Sequence, residues 1–530
     1  HSTSLELSAD RGEIYMHDGD IDRYPLAVNR EYQMAFVVPK DIVEKDTVAL
    51  ELSRVLGMDA GEIRDKIGRP NDPFEIIKKR LTEEEAVRIK ELRLKGVALL
   101  PEKYRYYPAG ELASQVIGFA SLGERGGTGG YGIEASLDAQ LRGQTGTLTQ
   151  EKDASGRWIP LSDRAITHAE NGESVILTLD RVIQYETEKI LKDSVERYQA
   201  DTATAIVMDP QTGNILAMAT SPQFDPNNYS KEEDYAIFLN HAVSTAYEPG
   251  SIMKPITMAI GIEEGKVAPT TEYTDPGSVT EAGYTIRNAE DKVYGRSSMY
   301  KVLDESINTG MIYVEKLVGN RLFGEYLKRF GFGERTGVVL PAELSGNLKN
   351  LSNDRATINF FTASFGQGIT ATPLQMVTAY AALANGGKLL KPNIIDRVIH
   401  ADGREEKNTP TEVRRVISEE TSRLMGLMLR SVVVNGHGKR ADVPGYLVGG
   451  KTGTAQVAKS GAKGYEEGRS IGSFVGYAPI ENPQFVVAVK LDNPKNVEWA
   501  ESSAAPTFGQ IMKFLLEYAK VKPTEETSKR

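Results

Sequence analysis

The chain has 530 residues, 40% of them hydrophobic, enough for about two to four domains with sizeable cores. A net charge of −10 with no long basic run argues against a nucleic-acid binder, and the absence of cysteine excludes disulfides and thiolate zinc sites. The six histidines, at 1, 17, 168, 241, 400 and 437, never fall at metal-ligand spacing, so no metal and no cofactor is expected.

Residues 1–165 read as a mixed, irregular region. The opening "GEIYMHDGDIDRYPLAVN" is β-like, with a turn at Asp18-Gly19. Two helical stretches follow, around 40–67 and 73–96. The second is suggested by Ile76, Ile77, Leu81, Ala86, Ile89 and Leu92 at roughly helical spacing. The Gly-rich "LGERGGTGGYG" (122–132) lacks the Gly-Lys-Ser/Thr ending of a phosphate loop and reads as a flexible turn. From about Ser174 the pattern is more regular. "ESVILTLD" is a strand, and Asp180 caps a helix reaching about Tyr198. "TATAIVMDPQTGNILAMAT" is a hairpin, "YLVGGKTGTAQV" a further strand, and "GSFVGYAP" with "QFVVAVKLD" a second hairpin. "TFGQIMKFLLEYAKV" closes the chain as an amphipathic helix with Phe508, Ile511, Met512, Leu515 and Tyr518 on one face, and residues 522–530 form a disordered tail. The fold class is α+β: an antiparallel sheet flanked by helices over 166–521, preceded by the irregular region 1–165. No apolar run is long enough to span a membrane and there is no signal peptide. The start at His1-Ser2 rather than methionine implies that something upstream was removed.

"YEPGSIMKP" (247–255) raises the chemical question. Ser251 and Lys254 are three residues apart, but so are Ser298 and Lys301, and Ser460 and Lys463. Only Ser251 follows a Pro-Gly turn and opens a predicted helix, which stops at Gly265. Pro255 is tolerated there because first-turn N–H groups have no intrahelical partner. Positions i and i+3 share a face, so Ser251 and Lys254 can meet. A serine at a helix start also has a free backbone N–H for an oxyanion. A lysine with a pKa of about 10.4 is a poor base at neutrality, and burial beside a second cation lowers it. Lys451 in "GGKTGTAQV" is the candidate second cation. It offers charge, and Thr452 and Thr454 offer hydroxyls, to a substrate carboxylate. Gly453 leaves an open strand edge for an added peptide strand, and the Thr454 N–H can complete an oxyanion hole. In "ESINTG", Ser306 offers a hydroxyl for proton relay and Asn308 an amide that orients Lys254 and the substrate. Ser345-Gly346-Asn347 and Arg335-Thr336-Gly337 repeat two of these patterns without such a setting.

The order S-x-x-K, S-x-N, K-T-G resembles the penicillin-binding transpeptidase and serine β-lactamase superfamily. Over nearly its whole length the chain resembles the class B penicillin-binding proteins, most of all the cell-division type. "RGEIYMHDGD" is similar to their first N-terminal element, though Tyr15-Met16-His17 replaces its usual D-R-N-like run. "RYYP" (105–108) and "GGYGIEASLDAQLRGQTG" (129–146) resemble the next two, and "SPQFDPNNY" and "FGQGITATPLQM" later stretches. The resemblance implies a β-lactamase-like transpeptidase domain on a non-catalytic, dimerisation-type pedestal. It implies a single membrane anchor upstream of residue 1 and a catalytic face outside the cytoplasmic membrane. Its substrates would be peptidoglycan stem peptides, its covalent inhibitors β-lactams, and its partner a polytopic membrane glycosyltransferase held by the pedestal. The role would be septal wall synthesis. "EDYAIFLNH" (233–241) looks like a glycosyltransferase signature but has one residue too many. The alternatives are a D,D-carboxypeptidase or β-lactamase-like hydrolase, or a mainly scaffolding division protein.

Overall fold

The computed structural model describes residues 2–7, 9–68, 74–121, 127–151, 165–459 and 464–524. Residues 122–126 of the Gly-rich segment, the Ser460–Lys463 pair and the tail beyond Thr524 lie outside the described residues.

The N-terminal region is more ordered than its sequence suggests. A 17-residue strand, Ile21–Val37, forms its spine and pairs with Ile14–Asp18, Glu75–Leu81 and Val97–Tyr106. The helix expected over 73–96 is therefore half strand. Ile76 and Ile77 are β-branched and lie in this strand, Ile76 paired with Phe36 of the spine, where tertiary contacts override a helical spacing. The helix starts only at Glu83, behind a capping box in which Thr82 and Glu85 satisfy each other's backbone N–H. The stretch 40–67 holds two helices, Lys45–Leu56 and Ala60–Ile67, broken where Gly57 turns left-handed at φ 65°.

Ile14–Asp18 also pairs in parallel with Ser174–Asp180, which pairs in turn with Ile395–Ile399. One seven-stranded sheet thus runs from the N-terminal region into the C-terminal one. Beside it, three stretches far apart in sequence meet on Glu134, which is fully buried. Arg11 Nε donates to Glu134 Oε2 at 2.8 Å, Arg105 Nε to Oε1 at 2.6 Å, and the Tyr107 hydroxyl to Oε1 at 3.1 Å. Arg11 also reaches Asp138 at 2.8 Å, and Asp138 accepts the Gly129 N–H. Burial pushes the Glu134 carboxyl up, but the Arg105 and Arg11 guanidinium groups outweigh it and hold it below its ordinary range. A Cβ at Gly129 would lie 1.8 Å from the Glu134 carbonyl oxygen, so only glycine fits. The described end of the Gly-rich segment is thus a packed turn rather than a flexible one.

The C-terminal region is built on a five-stranded antiparallel sheet. Its strands are β1 (Thr202–Met208), β2 (Ile215–Ser221), β3 (Gly449–Ala458), β4 (Tyr465–Ala478) and β5 (Phe485–Asp492), in the order β2-β1-β5-β4-β3. Six of its helices are α1 (Arg181–Tyr198), α2 (Lys254–Glu263), α3 (Asn308–Val318), α4 (Pro373–Ala384), α5 (Glu419–Asn435) and α6 (Ala504–Tyr518). Side chains alternate across each strand. Ala205, Val207, Val487 and Val489 face Leu191 of α1 and Phe508, Ile511, Met512 and Leu515 of α6. Ile206, Met208, Val486 and Ala488 face the other core, with Ile256, Tyr380 and Met425. Asp180 caps α1 as expected, accepting from Val182 and Ile183 N–H. Both hairpins and the closing helix fall where the sequence places them. Strand β3 ends the sheet, and the α2 start packs against it.

Candidate active site

Gly250 sits at φ 59°, a conformation that favours glycine, and donates its N–H to the Gly366 carbonyl at 3.0 Å. The "FGQG" stretch thus supports the turn that presents Ser251. Ser251 lies on a 3-10 turn, Gly250–Met253, which continues into α2. The expected helix start is present, with its first turn tighter than an α-helix, and it ends as expected at Gly265, φ 63°. Ser251 is partly exposed; the ring of residues below it is not.

Lys254 is 1% exposed. Its Nζ donates to the Ser306 carbonyl at 2.5 Å, the Ser306 hydroxyl at 3.0 Å and Asn308 Oδ1 at 2.8 Å. Lys451, on β3 and 0% exposed, reaches the same Ser306 hydroxyl at 3.0 Å and the Thr452 carbonyl at 3.1 Å. Ser306 can offer both its groups because its backbone is left-handed, at φ 56°, an arrangement that costs about 1–3 kcal/mol in a non-glycine residue. Asn308 opens α3 and is fixed from behind by its Nδ2, which donates to the Arg287 carbonyl at 3.0 Å.

Two buried ammonium groups around one hydroxyl oppose each other. Burial, then the charge of Lys451, holds Lys254 well below its ordinary value. Burial also lowers Lys451, to about 7, against the pull of Asp304 and Glu501. Both ammonium groups are pushed toward the neutral amine, Lys254 by burial and by the charge of Lys451, Lys451 by burial against two carboxylates.

Gly453 clears space for the serine turn. A Cβ there would lie 2.9 Å from Ser473 Oγ, 3.0 Å from Ile252 Cγ2 and 3.1 Å from the Pro249 carbonyl. Its need for glycine therefore comes from close packing as well as from the strand edge. Thr452 is buried beside Lys451, and Thr454 Oγ1 accepts the Ala500 N–H at 3.0 Å, which leaves its own O–H free to donate.

The structure thus brings Ser251, Lys254, Ser306, Asn308, Lys451, Thr452, Gly453 and Thr454 to one end of the sheet. The decoys lie elsewhere. Ser298 does start a helix, contrary to its reading in the sequence: its hydroxyl caps Met299–Asp304 by accepting the Lys301 N–H. That bond occupies it structurally. Asn347 caps a turn through Lys349 N–H, Thr336 is tied to Glu343, and Asp234 and Asn240 cap short helical turns. Sequence reading missed Asp304, Ser431, His437 and Glu501, which gather behind Lys451; their spacing follows no motif.

An antiparallel sheet covered by helices, with a serine at a helix start and two buried lysines beneath it, is the architecture of an active-site-serine acyltransferase. The penicillin-binding protein transpeptidase domain model matches residues 203–513, and the penicillin-binding protein dimerisation domain model matches residues 6–177. Stage V sporulation protein D of Bacillus subtilis is 35% identical over 98% of this chain and 80% of its own. The probable peptidoglycan D,D-transpeptidase PenA of Neisseria gonorrhoeae is 31% identical over 98% of this chain and 86% of its own. Penicillin-binding protein 3 of Mycobacterium tuberculosis, solved in complex with aztreonam, superposes with a TM-score of 0.76 at 28% identity, covering 99% of both chains. The chain belongs to the penicillin-binding protein transpeptidase family and is a penicillin-binding transpeptidase with an N-terminal dimerisation domain.

Proposed function

We propose that Ser251 is the nucleophile of a D,D-transpeptidase that cross-links peptidoglycan stem peptides. The observation that carries this reading is the Ser306 hydroxyl held 3.0 Å from both buried lysines. Neutral Lys254 takes the Ser251 proton as Oγ attacks the penultimate D-Ala carbonyl. The backbone N–H groups of Ser251 and Thr454 hold the oxyanion. Ser306 passes a proton toward the departing terminal D-Ala amine, and Asn308 keeps Lys254 in place. Lys451, Thr452 and Thr454 bind the substrate carboxylate, and the donor peptide adds along the free edge of β3. The amine of a second stem peptide then attacks the acyl-enzyme and regenerates Ser251. A β-lactam acylates the same serine, through its strained amide and its own carboxylate.

Residues 1–165 act as the pedestal, 166–521 as the catalytic region and 522–530 as a tail. Catalysis takes place outside the cytoplasmic membrane, where stem peptides are cross-linked. Among the described residues no helix is long and apolar enough to cross a membrane. The pedestal's partner is a membrane glycosyltransferase. Relatives named stage V sporulation protein D and peptidoglycan D,D-transpeptidase FtsI homolog support a septal role. Labelling with a fluorescent penicillin and mass mapping of the labelled peptide tests the nucleophile, with Ser251 as the expected site. Supplying a donor pentapeptide with an acceptor amine then separates transfer from hydrolysis. Hydrolysis alone, at every acceptor concentration, would favour the carboxypeptidase reading.

A further inference from the structure

Asp304 takes no part in the steps above, yet it lies two residues before Ser306 at the end of the helix Met299–Asp304 and is only 9% exposed. Its Oδ2 accepts the Ser431 hydroxyl of α5 at 2.9 Å. Its Oδ1 is buried with no hydrogen-bond partner. Leaving a carboxylate oxygen dry and unpaired is costly. The backbone around it is clamped: His437 N–H donates to the Asp304 carbonyl at 3.3 Å, and a Cβ on Gly436 would fall 2.4 Å from that oxygen.

The charges around Asp304 come from each packed element. Glu305 is its own neighbour, His437 follows α5, and Lys451 comes from β3. Glu501 accepts from His437 at 2.7 Å and, like Asp304, acts on Lys451. Burial pushes the Asp304 carboxyl up to about 6, with Ser431 and Lys451 opposing. Lys254, in contrast, is acted on by burial and by Lys451, and no carboxylate offsets them. Two lysines that share one hydroxyl in a dry site cannot both stay charged cheaply, and Ser306 alone does not decide which yields. Asp304 lies two residues before the serine whose hydroxyl Lys451 reaches at 3.0 Å, and both Asp304 and Glu501 act on Lys451.

We propose that Asp304 is a positioning residue: its carboxylate keeps Lys451 cationic and so assigns the neutral amine to Lys254. This rests on Lys254 as base and Lys451 as carboxylate anchor. The test measures acylation of the full chain by benzylpenicillin from the mildly acidic through the alkaline range. Asp304→Asn keeps an oxygen for Ser431 and removes the charge. The alkaline limb, where Lys451 loses its proton, moves down by about one pH unit, a roughly tenfold loss along that limb. Asp304→Glu restores it. In a Lys451→Arg background, where the cation cannot titrate, Asp304→Asn leaves the limb where it is. Should the Asn variant fail to fold, Asp304→Ala carries the same expectation. An unmoved limb, or a loss equal at every pH, overturns the proposal. Full acylation in Lys254→Ala and Lys451→Ala would instead overturn the reading beneath it, without any Asp304 variant.

Discussion

The protein buries charge in two places, and it does so in opposite ways. Around Glu134 two arginines close on one carboxylate with matched hydrogen bonds. Around Ser306 two lysines share one neutral hydroxyl. The first arrangement ties three distant stretches together and holds Glu134 in its charged form. The second leaves a cation under pressure to lose its proton. Breaking a compensated pair exposes a buried charge and costs stability. A like-charged pair whose carboxylates act on Lys451 rather than Lys254 has already paid in stability and holds a reactive amine in return.

If this contrast is right, Ser251→Ala has the largest effect: covalent penicillin labelling falls to background while the unfolding midpoint stays near that of the wild type. Glu134→Gln comes next and falls on the other side of the comparison. It strands Arg105, leaves Arg11 with Asp138 as its only carboxylate, and lowers unfolding free energy by about 3–5 kcal/mol in denaturant titration, while the folded fraction still acylates. Lys451→Ala slows acylation by a carboxylate-bearing penicillin, read by stopped flow, by about 2 kcal/mol or roughly 30-fold, and Lys451→Arg slows it less. Equal rates for wild type and both variants would remove the anchor role. The fourth effect is a slope. Lys451 is lowered to about 7 from an ordinary 10.5. Between those values the unfolded chain binds a proton that the folded one lacks, so its contribution makes stability rise with pH. Lys451→Met should flatten that part of the unfolding curve. Ser298→Ala is the smallest, with about 1 kcal/mol lost from a helix cap and labelling unchanged.

The candidate site residues could be read because each sits in a local setting with its own signature. A Pro-Gly turn precedes Ser251, a strand pattern carries Lys451, and a helix start carries Asn308. The closing helix was equally readable, since its apolar face is buried against a single sheet. Where local signals competed, the reading failed. Ile76 and Ile77 suit helix or strand until a partner strand is known, and the capping box at Thr82 was the overlooked boundary. Ser298 was judged to lack a helix start when it caps one. The Glu134 cluster joins residues up to 127 positions apart, and the Asp304 group joins two helix ends to a turn near the C-terminus. Neither has a period or spacing that a single chain reveals.

The strand Ser174–Asp180 is hydrogen-bonded on both edges, to Ile14–Asp18 on one and to Ile395–Ile399 on the other. A truncation at residue 166 would therefore leave a raw edge of apolar strand with nothing to template it but another molecule. Fragments of the catalytic region made this way should stick to one another through that edge. A cleaner excision would keep Ile14–Asp18 joined through a short linker, or place charged residues along the bared strand. The sheet thus makes the pedestal a built-in guard against self-association, a task separate from any partner it binds.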